Sequence, residues 1–206
     1  MEIILSTAYA APIEYYTLLA SANIVSIEKY EHFIKQSYRN RCYIYGANGI
    51  LALIIPLANR KDKTLTKDIR IANQTNWQKT HWKSIESAYR TSPFYEYFSD
   101  DIAHFYEQKF TFLIDFNQSI QQRLLDFAKI ESSIRHSENY TAQYDKNVYD
   151  YRTSLSPKIT TKIAFKNYSQ VFDSKFGFIP NLSFFDLLFN EGNKSKEYLL
   201  NSLTFE

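Results

Sequence analysis

The sequence predicts an α/β fold: a mixed sheet begun by a β-α-β unit, with a β-hairpin, packed by long amphipathic helices. Three observations carry this. Two short apolar runs, Ile3-Ile4-Leu5 and Ile24-Val25-Ser26-Ile27, flank a helical stretch introduced by Pro12. A second pair of strand-like runs flanks Gly46-Ala47-Asn48-Gly49, where Asn-Gly tolerates the positive φ of a hairpin turn. Beyond residue 75, apolar residues recur at steps of three and four, the period of a helix with one buried face.

Pro12 suits the first turn of a helix over Ile13–Ser21, where its missing N–H costs nothing. A strand–helix–strand unit of this kind places its strands parallel. Ligands of such sheets gather beyond the carboxyl ends of the strands. Those ends are Thr7-Ala8-Tyr9 and Glu28-Lys29-Tyr30, and a cationic segment, Lys35 to Arg41, follows directly. If Tyr38–Tyr45 is a strand, Arg39, Arg41, Tyr43 and Tyr45 share one face and Asn40, Cys42 and Ile44 the other. The hairpin is expected to extend the sheet. Its second run is apolar on both faces, so Leu51, Leu53 and Ile55 call for one covering layer and Ile50, Ala52 and Ile54 for another.

Asn59–Lys67 reads as a charged, solvated loop, and Ile69-Arg70-Ile71 as a short strand. Thr75 and Gln78 fit a capping box for a helix reaching about Arg90, before Ser92-Pro93. Trp77, His81, Trp82, Ile85, Ala88 and Tyr89 fall on one side of it, with Lys79, Lys83, Glu86 and Arg90 on the other. Ser99-Asp100-Asp101 is expected to cap one long helix running through Phe127, on the order of 40 Å. Residues 131–166 turn to Ser, Thr, Tyr and charge with no sustained period. They read as a long, partly irregular excursion, a length that invites a functional or interface role. Ser183 then caps a short helix that ends near Gly192. There are no internal repeats, and the 206 residues read as a single domain.

Composition removes several function classes. With 45% apolar and 17% aromatic residues the chain can fill a core. A formal charge of +2 argues against a general nucleic-acid binder, whose affinity rests on a strong positive field. One cysteine, Cys42, excludes an internal disulfide and a Cys-rich zinc site, and the histidines fall at no metal-ligand spacing. Glycine is too sparse for a phosphate-cradling loop. Gly46-x-x-Gly49 matches a KH-domain loop superficially, and the hairpin explains it better. No metal or cofactor is expected. Met1-Glu2 lacks the cationic start of a secretory signal and Ile50–Leu57 is far too short for a membrane span, so a soluble cytoplasmic protein is expected.

The expected site lies around the strand ends. Lys35, Arg39, Asn40 and Arg41 offer charge and hydrogen bonds to an anionic small molecule, and an arginine grips phosphate or carboxylate with two parallel bonds. Trp77 offers a face for a base or sugar, and Tyr9 stands at the end of the first strand. His81 has the intrinsic pKa of a general base, and Glu28 is a second candidate catalytic group. The structural alternatives are an ion pair of Arg41 with Glu28 or Glu31, a core Trp77, and a buried His81 bonded to a backbone carbonyl. Cys42 alternates inward with Ile44 and reads as a small core residue.

From Glu28 to Pro56, then through Trp77-x3-His81-Trp82-Lys83-Ser84-Ile85-Glu86-Ser87-Ala88-Tyr89 to Gly177-Phe178-Ile179-Pro180-Asn181-Leu182-Ser183-x-x-Asp186-Leu187-Leu188, the chain resembles the WbqC-like protein family. The resemblance covers about Ile3 to Leu200. It implies a role in surface-polysaccharide assembly of the O-antigen type, with transfer of an amino acid or acyl group to an amino-sugar nucleotide. Where many members carry a Gln-Pro or His-Gln-Pro loop, this chain has Ser6-Thr7-Ala8, and the acidic pair usual after the second strand is only partly matched, by Glu28 and Glu31. The expected function is therefore a transferase acting on a nucleotide sugar. The alternative is a non-catalytic binding or assembly protein that kept the fold and lost the loop chemistry.

Overall fold

Ile3 pairs with Val25 and Leu5 with Ile27 where β1 (Glu2–Ser6) runs parallel to β2 (Ile24–Glu28), and α1 (Ile13–Ser21) joins them as the β-α-β pattern predicts. The computed structural model describes residues 1–58 and 61–202. Ile3, Ile4 and Leu5 are all buried, so β1 is covered on both faces. The parallel sheet has the order β5-β2-β1-β6, and both outer strands, β5 (Ile134–His136) and β6 (Val148–Asp150), come from the stretch that reads as irregular. Strands of three residues are too short to carry a periodic signal.

The α/β class holds, and the sheet arrangement is split in two. β3 (Arg41–Gly46) and β4 (Gly49–Ile54) form a separate antiparallel pair and do not extend the parallel sheet. The outer edge of β3 is already occupied: Tyr43 O accepts from Ser183 N at 2.7 Å, and Tyr45 N donates to Tyr89 Oη at 3.1 Å. The expected cover on both faces of β4 is also corrected. Leu53 and Ile55 are buried, whereas Ile50, Leu51 and Ile54 are 59%, 41% and 45% exposed. Phe172 and Phe176 cover the outer face over Tyr45, on β3.

α2 (Trp77–Tyr89) buries Trp77, His81, Ile85, Ala88 and Tyr89 of the predicted face and leaves Trp82 half-buried. Its capping box does not form. Thr75 Oγ1 donates instead to Ala72 O, and Gln78 Nε2 donates to the carbonyls of Phe105 and Gln108. Those bonds help to explain a second correction. The expected long helix is two, α3 (Tyr95–Glu107) and α4 (Leu113–Phe127), with Ser99 buried inside α3. Asn73 Nδ2 takes Phe110 O at the break, and Leu113 N donates to Ile69 O, so neighbouring chain replaces the helical bonds lost there. Ile69–Ile71 contributes isolated bridges to Leu57 and Phe112. Asn59 and Arg60, the start of the expected charged loop, lie outside the described residues.

A short helix, α5 (Asp173–Phe176), precedes α6 (Phe184–Glu191) and α7 (Ser195–Asn201). Ser183 caps α6 by accepting from Phe185 N, and Gly192 ends it at φ 56°, both as the sequence predicts. A Cβ at Gly192 would also meet the Phe94 ring at 2.5 Å. Ile13 N donates to Leu182 O and Phe184 N to Ala11 O, tying the starts of α1 and α6 together.

Candidate functional site

Parallel strands bring their carboxyl ends to one level, and here those ends carry charge. Ser6 closes β1, Glu28 closes β2 beside it, and Asp150 closes β6, paired with Ile4. Arg152 follows two residues on. Its Nε donates to Asp150 Oδ1 at 2.9 Å and its Nη2 to Oδ2 at 2.6 Å. Burial alone would raise the Asp150 pKa, and the hydrogen bonds from Arg152 reverse this, leaving the carboxyl below its usual range. Those bonds also push the Arg152 pKa up. Its Nη1 donates to Thr141 O at 3.0 Å, and the guanidinium lies 5.3 Å and 5.1 Å from the ring centroids of Tyr140 and Tyr144.

Glu28 is fully buried. Its Oε1 accepts from Tyr30 N and from Ser137 Oγ, each at 2.7 Å. Its Oε2 has no hydrogen bond among the described residues and stands 3.5 Å from Arg152 Nη1. Arg39, 2% exposed, grips Glu31 with Nε to Oε1 and Nη2 to Oε2, both 2.7 Å, and donates to Ser6 Oγ at 2.6 Å. Three carboxylates and two guanidiniums thus form one cluster at the strand ends. Above it opens a cleft of about 770 Å³ lined by Tyr30, Glu31, His32, Tyr140, Asp150 and Arg152, with Glu138 and Thr153 among the rest. This is where an open parallel sheet binds ligands.

Of the residues expected at the site, Glu28 and Arg39 belong to this cluster. Arg39 does not share an exposed strand face with Arg41, because the chain before Arg41 is irregular and turns Arg39 inward to Glu31. Lys35 is exposed, one residue beyond Ile34, which lines the cleft. Asn40 closes the hairpin, its Nδ2 donating to Ile55 O at 2.9 Å. Arg41 is half-buried, with Nη1 3.5 Å from Tyr43 Oη and a buried Nε that has no partner among the described residues.

Tyr9, Trp77 and His81 form a second cluster away from the cleft's lining residues. Tyr9 Oη lies 2.9 Å from His81 Nδ1 and 2.8 Å from Tyr106 Oη. Trp77 meets the imidazole edge-on at 5.1 Å. Burial disfavours the imidazolium and lowers the His81 pKa to about 4, so the ring is neutral at pH 7. The imidazole also bonds the backbone of Ile54, the kind of partner named in the structural alternative for His81; Ile54 is the cross-strand partner of Arg41, and neither His81 nor Arg41 lines the cleft. Cys42 is buried, with its thiol pKa pushed up by burial. Asp150, Arg152 and Tyr140 went unseen as site residues. The one signal for them is the length and polarity of 131–166.

Among the described residues, no helix is long and apolar enough to cross a membrane, and no group of three or more His, Cys, Asp or Glu side chains could hold a metal ion.

The fold and site define an α/β protein with a charged cleft at the ends of a parallel sheet. The profile of the WbqC-like protein family matches residues 7–158, and the chain belongs to that family. It is also similar to the uncharacterized protein Rv1507c of Mycobacterium tuberculosis, with 23% identity over 216 aligned positions, covering 90% of this chain and 91% of the relative. No solved structure gives a significant match.

Proposed function

We propose that the protein is a cytoplasmic transferase of surface-polysaccharide assembly, moving an amino acid or acyl group onto an amino-sugar nucleotide in the cleft at the strand ends. The observation that carries this is the ionic cluster of Glu28, Glu31, Arg39 and Arg152, all buried, with Asp150 at its exposed end, under a cleft of about 770 Å³. Holding four charges out of water is costly, and a fold that needed only stability would fill the same space with apolar side chains. The chemistry itself is the one that the sequence resemblance implies.

The cluster has one more carboxylate than guanidinium, so it favours the amino end of the acceptor. Asp150 and Glu31, both on the cleft wall, accept hydrogen bonds from that amine or from sugar hydroxyls. Glu28 sits behind Arg152 and positions it. Tyr30 and Tyr140 present rings to the sugar or base. Lys29 and Lys67 lie 5.4 Å and 5.5 Å from the Tyr30 ring centroid and, with Lys35, face the phosphates at the rim. Calorimetry with a panel of nucleotide amino sugars tests the reading. Micromolar binding that is lost in Tyr30→Ala and weakened at least tenfold in Asp150→Asn is the expected result. Absence of binding across the panel, or binding indifferent to both changes, removes the proposal. Binding without transfer to any acyl or aminoacyl donor selects the non-catalytic alternative.

A further inference from the structure

The second half of the long excursion lines a cavity of its own, separate from the cleft. Glu14 and Leu18 stand one turn apart on α1, and Tyr151, Leu155, Ile159 and Ile163 face them across a trough of about 690 Å³. Trough and cleft share no lining residue. The chain at Tyr151 and Arg152 runs between them, with Tyr151 on the trough and Arg152 on the cleft. Tyr151 N donates to Ile4 O at 2.9 Å, so the parallel sheet holds this wall in place.

Glu14 is half-buried in this largely apolar lining, and among the described residues it has no ion pair. Its Oε2 accepts from Asn181 Nδ2 at 3.2 Å, and Asn181 Oδ1 accepts from Glu14 N at 2.9 Å, which fixes the residue at the helix start. Burial raises its pKa, and what opposes the rise comes from the neutral Thr161 and Asn181 side chains. Its place in the first turn of α1 favours the ionised form. A carboxylate taken partly out of water and left with neutral partners is stabilised by a cation brought to it. The other charge in the lining, Lys162, is exposed and keeps its ammonium in water.

We propose that the trough binds a hydrophobic primary amine, its ammonium on the Glu14 carboxylate and its apolar body among Leu18, Tyr151, Leu155 and Ile159. The volume lies within the range of small-molecule sites, about 300–1,000 Å³. Ile159, 53% exposed, gains cover from the bound body. An apolar anion is disfavoured, because its carboxylate meets Glu14 as a like charge. The inference is independent of the chemistry assigned to the cleft.

Calorimetry with phenethylamine, 2-phenylethanol and 3-phenylpropanoate tests this, since the three share an apolar body and differ at the polar end. The amine is expected to bind with a millimolar or lower dissociation constant, and the alcohol and the acid roughly tenfold or more weakly. In Glu14→Gln, which keeps an acceptor for Asn181, amine affinity should fall to that of the alcohol with the circular dichroism spectrum unchanged. Ile159→Gln, at an exposed position, should weaken amine and alcohol alike. Asp150→Asn, on the cleft, should leave amine binding as it was. Equal affinity for amine and alcohol in the wild type overturns the inference, as does no amine binding in the millimolar range. So does amine binding that survives Glu14→Gln or Ile159→Gln, or that is lost in Asp150→Asn, which would put the amine in the cleft.

Discussion

Two buried polar clusters begin within four residues of each other and solve the same problem in opposite ways. At Ser6 the chain joins the ionic cluster, where Arg39 donates to the Ser6 hydroxyl and grips Glu31. At Tyr9 it joins the neutral cluster, where a phenol holds His81 at 2.9 Å. The first keeps charges buried by pairing them. The second keeps a titratable ring buried by keeping it uncharged. The first borders an open cleft, where a bound ligand can exchange partners with the protein. A histidine on an aromatic helix face and a charge at a strand end thus lead to different parts of the molecule.

The largest expected effect separates the two by stability. Arg39→Met leaves Glu31, 6% exposed, without its partner, and should cost about 3–5 kcal/mol in urea unfolding. Adding Glu31→Gln should recover most of it. A loss below about 1 kcal/mol for Arg39→Met means that water already screens the pair.

Acid titration gives the next largest effect. His81 has its folded pKa lowered from 6.5 to about 4. Its contribution is complete above pH 6.5 and is lost as pH falls toward 4, because the unfolded chain takes up the proton first. Asp186 runs the other way. It is fully buried, bonded to Tyr168 and Gln170, and has no ion pair among the described residues; burial raises its pKa from 3.8 to about 6. Its contribution is complete below pH 3.8 and is lost as pH rises through about 6. At about 1.36 kcal/mol per pKa unit each amounts to about 3 kcal/mol, and between pH 4 and 6 the two oppose. Asp186→Asn should uncover a stability that rises with pH across that window, and His81→Phe one that falls. Identical slopes in all three proteins would show that neither group titrates as buried.

The contrast also explains what was legible in the sequence. The β-α-β unit, the Asn-Gly hairpin, the buried face of α2 and the Ser183 and Gly192 helix ends follow from local patterns, and each is in place. The split of α3 from α4 involves Gln78 and Asn73, which are 30 and 37 positions away from the Gln108 and Phe110 carbonyls they bond, so no local period records it. The cluster was half legible. Glu28 ends a recognisable strand, but Arg152 and Asp150 follow a strand of three residues that acquires its meaning only by pairing with β1. Arg39 and Arg41 look equivalent in an alternating pattern, and only the irregular chain before β3 sets one inward and the other at the surface.

A smaller effect tests whether the neutral cluster has any share in binding. His81→Phe keeps the ring volume and leaves Tyr9 Oη its bond to Tyr106, so it should cost about 1–3 kcal/mol at pH 7. Affinity for any ligand of the cleft should be unchanged. A fall in affinity with stability intact would join the two clusters into one site.

The smallest effect belongs to a charge in neither cluster. Lys35 is exposed, has no ion pair among the described residues, and stands beside Ile34 on the cleft wall. Removing it should alter stability by no more than about 0.5 kcal/mol, since nothing in the folded protein depends on it. If it attracts the phosphates of a nucleotide sugar, Lys35→Ala should weaken binding by about 0.2–1 kcal/mol at low salt, the range of an exposed ion pair. That difference should vanish near 1 M salt, where the screening length falls to about 3 Å. Calorimetry at two ionic strengths separates this from a packing effect, which salt does not screen. Equal affinities for the wild type and Lys35→Ala at low salt would move the phosphates off this rim and leave Lys29 and Lys67 to hold them.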